Sequence, residues 1–294
     1  MDDIIAFHTP TLEDKAWIGD VLDGVPFMNC EYGFGNMFLW AESFGTKVGR
    51  YKEFLLMRSG TAYLFPIGKR EPTEAVEYLI NYAHTAKEPL KFINVTKDIR
   101  TFLDEKFPDK FNFAENRAFA DYIYNVDDLI NLSGKKYHKK RNHLSNFKKK
   151  YNWSFEKITS ENLDECFEMY EVWLKNKNAE NDENYDEYSA VKRAFDNFEQ
   201  LDFIGGALRV DGKIEAFTMG EALTNETFCT HIEKANTDIV GLYAAINNEF
   251  AKNCLSSYKY VNREEDMGIE GLRKAKLSYY PAILLEKDKA ILKG

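Results

Sequence analysis

Asp202-Phe203-Ile204-Gly205-Gly206-Ala207-Leu208-Arg209-Val210-Asp211-Gly212-Lys213-Ile214-Glu215-Ala216-Phe217-Thr218-Met219-Gly220-Glu221 is two apolar runs joined by Asp-Gly. Asp-Gly between such runs is a strong hairpin signal, because both residues tolerate the positive φ of a two-residue turn. Strands are therefore expected over 202–210 and 213–221. A looser turn at Thr224-Asn225 leads to a third strand over 227–234. A loop over 235–240 then opens a helix from Gly241 to Cys254, with Leu242, Tyr243, Ile246 and Phe250 on its inner side. Beyond it lie a strand over 258–262, a short helix over 269–276 and a strand over 282–286. Upstream, 152–158 alternates like a strand. Thr159 or Ser160 caps a helix to 177, with Leu163, Phe167, Tyr170 and Leu174 on one face. An acidic loop over 180–186 leads to a second helix that turns Val191, Phe195, Phe198 and Leu201 inward.

The resulting order, βααβββαβαβ, resembles that of the acyl-CoA N-acyltransferase (GNAT) fold. In that fold the sheet splays between its fourth and fifth strands, and the donor lies in the splay. Its pyrophosphate meets the next helix at its N-terminus, where unpaired N–H groups and the helix dipole attract an anion. Here that helix begins near Gly241. In the first half, 51–58 and 61–67 form a hairpin about Ser59-Gly60, and Pro72 opens a helix to 86. A strand over 89–95, a helix capped by Thr96 and running to 106, and a strand over 119–126 follow. Two hairpin strands followed by αβαβ repeat the latter part of the same order. The expected fold is α+β: two tandem GNAT-like domains, 1–130 and 131–294, each a splayed mixed sheet flanked by helices. The segment before Tyr51 yields no assignment. Its aromatic-rich stretch from Cys30 to Phe44 reads as core more readily than as a pocket.

The linker between the two domains carries the main charge anomaly. Seven of the sixteen residues from Lys135 to Lys150 are lysine, Arg141 adds one more cation, and no acid interrupts them, in a chain of net charge −9. Surface helices normally mix signs, so a one-signed run points to a bound polyanion such as nucleic acid or lipid headgroups. Tyr137, Leu144, Phe147 and Tyr151 fall near helical spacing, so one face of this helix packs on the protein. Lys135, Lys136, Lys139, Lys140, Arg141, Lys148, Lys149 and Lys150 are the candidate polyanion contacts. The bland alternative is a basic helix neutralised by the protein's own carboxylates.

Composition narrows the classes. With 44% hydrophobic, 15% aromatic and 30% charged residues, 294 residues suffice for two packed domains. No apolar stretch approaches the roughly 18–20 residues needed to cross a bilayer. The acidic start Met1-Asp2-Asp3-Ile4-Ile5 is unlike a signal peptide. Cys30, Cys166, Cys229 and Cys254 are far apart and form no Cys-x-x-Cys, so a reducing cytoplasm is expected and no metal site is indicated. His138 and His143 do not share a helix face.

Three stretches carry a family resemblance. They are Gly134-Lys135-Lys136-Tyr137-His138-Lys139-Lys140-Arg141-Asn142-His143; His231-Ile232-Glu233-Lys234-Ala235 with Gly241-Leu242-Tyr243 and Ile246-Asn247; and the run from Asn262 through Arg263-Glu264-Glu265-Asp266-Met267-Gly268 to Tyr280-Pro281. Together they resemble the bacterial family related to the C-terminal domain of phosphatidylglycerol lysyltransferase. The resemblance implies two tandem acyltransferase-like domains. It also implies an amino acid moved from aminoacyl-tRNA to a lipid headgroup or, as in the Fem peptidyltransferases, to a peptidoglycan precursor. The membrane-spanning flippase part of the full lysyltransferase has no counterpart here. Acyl-CoA enzymes carry Gln/Arg-x-x-Gly-x-Gly/Ala before the central helix. Lys234-Ala235-Asn236-Thr237-Asp238-Ile239-Val240-Gly241 has one glycine, and its aspartate repels a diphosphate.

Aminoacyl transfer needs a base for the acceptor, a donor to the developing oxyanion and cations for phosphate. Glu221, His231 and Glu233 are the candidate catalytic residues. His231 and Glu233 stand two apart on one expected strand and so share a face, with Glu221 on the neighbouring strand. Arg263, Arg273, Lys276, Gly241 and Tyr243 are the candidate substrate contacts; Arg273 and Lys276 share one side of a short helix. The bland alternatives are a polar pair at the solvent end of two strands and a salt-bridged loop. The leading expectation is an acyltransferase taking its group from aminoacyl-tRNA, with a small-molecule, lipid-headgroup or peptide acceptor. Acyl-CoA is the less favoured donor. The rival is a non-catalytic module that binds RNA or an anionic membrane surface.

Overall fold

The computed structural model describes residues 5–178 and 185–293. The chain forms two compact units. One comprises Met1–Asp121, Glu265–Lys274 and Leu284–Gly294; the other comprises Tyr122–Glu264 and Ala275–Ile283.

The first unit opens with helices α1 (Asp14–Leu22), α2 (Phe34–Leu39) and α3 (Ala41–Phe44). Strands β1 (Thr46–Tyr51), β2 (Phe54–Ser59), β3 (Ala62–Leu64) and β4 (Ile67–Gly68) follow, then α4 (Thr73–Ala86), β5 (Lys91–Val95), α5 (Lys97–Lys106) and β6 (Phe111–Ala114). The Cys30–Phe44 stretch is largely core, as expected: Tyr32, Phe34 and Phe38 are buried, although Phe44 is exposed. Leu56, Tyr63, Val76, Leu79, Phe92 and Leu103 pack as one cluster that joins α4 and α5 to the sheet.

Chain continuation gives β7 (Asp121–Asn125), α6 (Val126–Asn131), a 3-10 turn at Lys135–Tyr137, α7 (His138–Lys150) and β8 (Trp153–Lys157). Helices α8 (Leu163–Asn178) and α9 (Tyr185–Asp196) precede the hairpin β9 (Ile204–Val210) and β10 (Lys213–Ala222). Then come β11 (Thr227–Ala235), α10 (Leu242–Cys254), β12 (Tyr260–Asn262), α11 (Glu270–Leu277), β13 (Ile283–Leu285) and β14 (Asp288–Leu292). The Asp-Gly turn forms as expected, with φ of 49° at Asp211 and 88° at Gly212. The helix expected after Thr159 starts at Leu163, because Thr159 first closes a turn by accepting the Glu161 N–H. Of the expected acidic loop, 180–184 lie outside the described residues.

Among the described residues the strands form two seven-stranded sheets. The first runs β1-β2-β3-β5-β14-β6 with β4 beside β2, and the second runs β13-β7-β12-β11-β10-β9-β8. The two follow one plan. An antiparallel run ends in β3 or β11, a helix (α4 or α10) crosses over, and a parallel strand (β5 or β12) follows. A second helix (α5 or α11) leads to an outer strand (β6 or β13), and one antiparallel strand enters between the last two. This is the tandem GNAT-like α+β fold that the order of elements predicted.

The inserted strands are exchanged. β7 closes the first half of the sequence but pairs with β12 in the second sheet, while β14 pairs with β5 and β6 in the first. The units therefore differ from the expected division at 130/131. A boundary drawn along the chain cannot represent an exchange of strands. β14 escaped the sequence reading because it begins in Glu286-Lys287-Asp288-Lys289, a charged run without visible alternation.

Candidate functional site

The second sheet parts where the fold predicts it. β11 and β12 are parallel and pair only from Thr227↔Tyr260 to Cys229↔Asn262. β11 then continues to Ala235 beside β10, while the other lip leaves as Arg263. Side chains on both faces of this opening form the candidate site.

A β-bulge decides which side chain lies on which face. Along β10 and β11 the register passes from Gly220↔Thr230 to Met219↔Ile232, so His231 is the extra residue. An extra residue reverses the alternation beyond it. His231 keeps company with Glu221 and Cys229, themselves cross-strand partners, on the face where Phe217 meets Phe195 of α9. Glu233, opposite Thr218, lies on the other face, the one where Ala216 and Ala235 pack against Phe147 of α7 and Leu242, Ala245 and Ile246 of α10. The expected His231–Glu233 pair on one face is therefore corrected: the bulge separates them.

On the first face His231 is clamped. Nε2 lies 2.9 Å from Glu221 Oε1 and Nδ1 lies 2.8 Å from Glu264 Oε1, with Cys229 Sγ 3.7 Å from Nδ1. The His231 side chain is wholly buried. Burial works against its charged form, but Cys229 and the bonds to Glu221 and Glu264 outweigh it and leave the imidazole well above the usual histidine range. With both nitrogens engaged, His231 offers no lone pair to an acceptor. Glu264 reaches it from a positive φ of 56°. That conformation is pinned by Asn262 Oδ1, which accepts the Glu264 N–H at 2.7 Å, and by Lys276 Nζ, which donates to the Arg263 and Glu264 carbonyls at 2.6 and 3.1 Å.

On the second face the lips are bridged. Arg263 Nη2 lies 2.7 Å from Glu233 Oε1, and the guanidinium sits 5.2 Å from the Tyr279 ring and 5.8 Å from that of Tyr124. Lys140 of α7 places Nζ 3.7 Å from the Tyr279 ring centroid. Burial and the nearby Arg263 push its ammonium down to about 8, against the pull of Glu233. Arg263 Nη1 is buried and has no hydrogen-bond partner among the described residues. The cluster thus holds two cations, one carboxylate and one unused donor between aromatic walls.

At the head of α10, Gly241 has φ of 91°, and a β-carbon there would lie 2.7 Å from the His143 carbonyl. The backbone of α7 thus lies against the turn at which the acyl-CoA pattern brings in a diphosphate. Tyr243 turns its hydroxyl to the Ala235 backbone and Trp173, which both donate to it.

The remaining candidates are placed as follows. Arg273, in the first unit, binds both carboxylate oxygens of buried Asp266 at 2.8 and 2.9 Å, and Arg117 shares that carboxylate. Lys276, in the second unit, is spent on the two carbonyls named above. Of the cations from Lys135 to Lys150, Lys136 pairs with Asp128, Lys148 with Glu249, and Arg141 donates to the Leu132 and Gly134 carbonyls. Among the described residues, no carboxylate pairs with Lys135, Lys139, Lys149 or Lys150. Sequence reasoning missed Glu264, Tyr124 and Tyr279. It also counted Lys140 with the surface cations, although Lys140 falls on the Tyr137–Leu144–Phe147 stripe and so had to turn inward.

Comparison with known proteins fits this geometry. A family model described as phosphatidylglycerol lysyltransferase, C-terminal, matches residues 24–287. A conserved protein of unknown function from Bacteroides thetaiotaomicron is 40% identical, with a TM-score of 0.93 over 99% of this chain and 100% of that one. The structure of L-PGS from Bacillus licheniformis is 14% identical at a TM-score of 0.72, covering 99% and 95% of the two chains. That of FemX is 11% identical at 0.55, covering 96% of each. Comparison with functionally curated proteins finds no match. The fold, the parted sheet and the match over most of its length make this chain a member of the phosphatidylglycerol lysyltransferase C-terminal family, an acyltransferase-like protein.

Proposed function

We propose that the protein transfers an aminoacyl group from aminoacyl-tRNA to an amine or hydroxyl acceptor in the cytoplasm, the acceptor being a small molecule, a lipid headgroup or a peptide. The observation that carries this reading is the bridge across the parted sheet. A pantetheine arm threads such a gap, and here Glu233 and Arg263 span it at 2.7 Å. The head of α10 gives a diphosphate little room, since α7 backs onto Gly241. The α7 surface instead presents cations without acid partners, which suits a polyanionic donor. In this reading Arg263 and Lys140 hold the anionic part of the substrate near the lips, and Glu233 takes the acceptor's proton once substrate draws Arg263 away from it.

A single-turnover assay tests this. Aminoacyl-tRNA labelled on the amino acid is mixed with excess protein and an acceptor panel. Label should leave the RNA for an acceptor with wild type and remain on it with Arg263→Gln, while labelled acetyl-CoA gives no product. Retention of RNA with no transfer from any of the aminoacyl-tRNAs would instead establish the binding-module reading, which Lys135, Lys139, Lys149 and Lys150 favour. Transfer from acetyl-CoA alone would establish the thioester reading.

A further inference from the structure

We propose that Cys229, His231 and Glu264 form a binding site for a divalent cation of the zinc class, with Glu221 orienting the imidazole. The three donor atoms, a sulfur, a ring nitrogen and a carboxylate oxygen, lie within 4.8 Å of one another. Cys229 Sγ and His231 Nδ1 are 3.7 Å apart. Sulfur and nitrogen bound to tetrahedral zinc at about 2.3 and 2.0 Å stand about 3.5 Å apart, so this edge of the site needs almost no adjustment. The Nδ1–Glu264 edge, at 2.8 Å, is a hydrogen bond that must open by roughly half an ångström to take an ion between its ends.

The surroundings are those of a built site. A metal-bound histidine usually donates its other ring N–H to a carboxylate, which fixes the ring and raises its basicity. Glu221 stands in that position, 2.9 Å from Nε2. Strand alternation and one backbone irregularity bring the donors together. Alternation puts His231 on the Cys229 face, the bulge seats Ile232 beside it and turns Glu233 away to the other face, and the positive φ of Glu264 aims its carboxylate back at Nδ1. Bulges and strained residues persist where surrounding structure holds them for a purpose. Asn262 and Lys276 hold this one through the Glu264 backbone.

With an ion bound, Nδ1 gives its lone pair to the metal in place of its hydrogen bond to Glu264, and Nε2 keeps its bond to Glu221. Mixed sulfur, nitrogen and oxygen donors suit zinc rather than magnesium or calcium. Three protein donors leave the fourth position of a tetrahedral zinc site to water or substrate. The other comparable cluster, Cys30, Asp121 and Glu265 in the first unit, is unlike it: the Lys287 ammonium already stands 2.6 Å from Asp121 and 3.7 Å from Cys30 Sγ. The sequence expectation of no metal passed over this set, because Cys-x-His on a bulged strand and a carboxylate 33 residues away match no familiar spacing.

Titration of chelator-treated, folded full-length protein with cobalt(II) tests the site, since cobalt bound to thiolate gives an intense charge-transfer absorption. One cobalt per chain with that absorption is expected, displaced by zinc. Cys229→Ser should abolish the absorption, and Glu221→Gln should weaken cobalt affinity about 10–100-fold. No stoichiometric binding by the folded wild type would overturn the proposal, as would a charge-transfer band that persists in Cys229→Ser. Because wild type alone can fail the test, variants that do not fold leave it decisive.

Discussion

Arg263 and Glu233 join the lips of the parted sheet at 2.7 Å, with both side chains mostly buried and one guanidinium nitrogen left without an acceptor among the described residues. The ion pair stands where the β11–β12 ladder has ended, so it replaces backbone pairing with an interaction that a ligand can compete for. Removing one partner strands the other as a buried charge. Arg263→Met should therefore destabilise the protein by roughly 3 kcal/mol, and the double variant Arg263→Met/Glu233→Gln should recover much of that loss. Urea unfolding of the four proteins measures it; additive losses would show that the two side chains do not interact.

Much of this site was legible as a list of residues and little of it as an arrangement. Glu221, His231, Glu233 and Arg263 were identified from the sequence, and all four stand at the opening. Their division between two faces was not legible. β11 is buried on both sides along most of its length, so its sequence has no alternation in which a bulge could show as a break. The hairpin at Asp211-Gly212 was legible because its signal is local. The exchanged strands β7 and β14 were not, because pairing between distant parts of a chain leaves no local mark.

Lys140 should lose its charge in a mild alkaline window. Its neighbours are Arg263, Glu233 and the ring of Tyr279. Its folded value of about 8 lies below the ordinary lysine value of about 10.4. Below pH 8 both folded and unfolded states carry the proton. Between the two values the unfolded chain binds more protons, so this group's contribution to stability rises with pH across that window. Anion binding that depends on Lys140 should instead weaken as pH rises through 8, and Lys140→Arg should remove the dependence. Binding of tRNA measured from pH 7 to 9.5 checks this; identical profiles for wild type and Lys140→Arg would exclude Lys140 from the site.

Polyanion binding by the basic run from Lys135 to Lys150 should rest on a subset of its cations. Lys136, Lys148 and Arg141 are engaged by Asp128, Glu249 and backbone carbonyls. Lys135, Lys139, Lys149 and Lys150 have no carboxylate among the described residues. Changing these four to glutamine should flatten the log–log salt dependence of RNA binding by about 0.7 for each phosphate that is no longer neutralised. Changing Lys148 alone should lower stability with little effect on that slope. An unchanged slope in the fourfold variant would show that the basic run does not meet the RNA.

Lys287 is a buried cation of the first unit held by two carboxylates. Its wholly buried ammonium meets Asp121 at 2.6 Å and also reaches Glu31. Burial opposes the charge, yet Asp121, Cys30 and Glu31 hold it well above the usual lysine range. Lys287→Met leaves two acids without their cation and should cost about 3–5 kcal/mol. Asp121→Asn in the same background should restore part of it. The position of Lys287, one residue before β14, gives the loss a location. β14 lies between β5 and β6, so loosening it exposes both of their inner edges. Amide exchange in Lys287→Met should accelerate in β5, β6 and β14, while β9, β10 and β11, whose ladder is independent of β14, keep their protection. Uniform acceleration across both sheets would mean that the two units unfold as one, and that the exchanged strand does not set the stability of the sheet it enters.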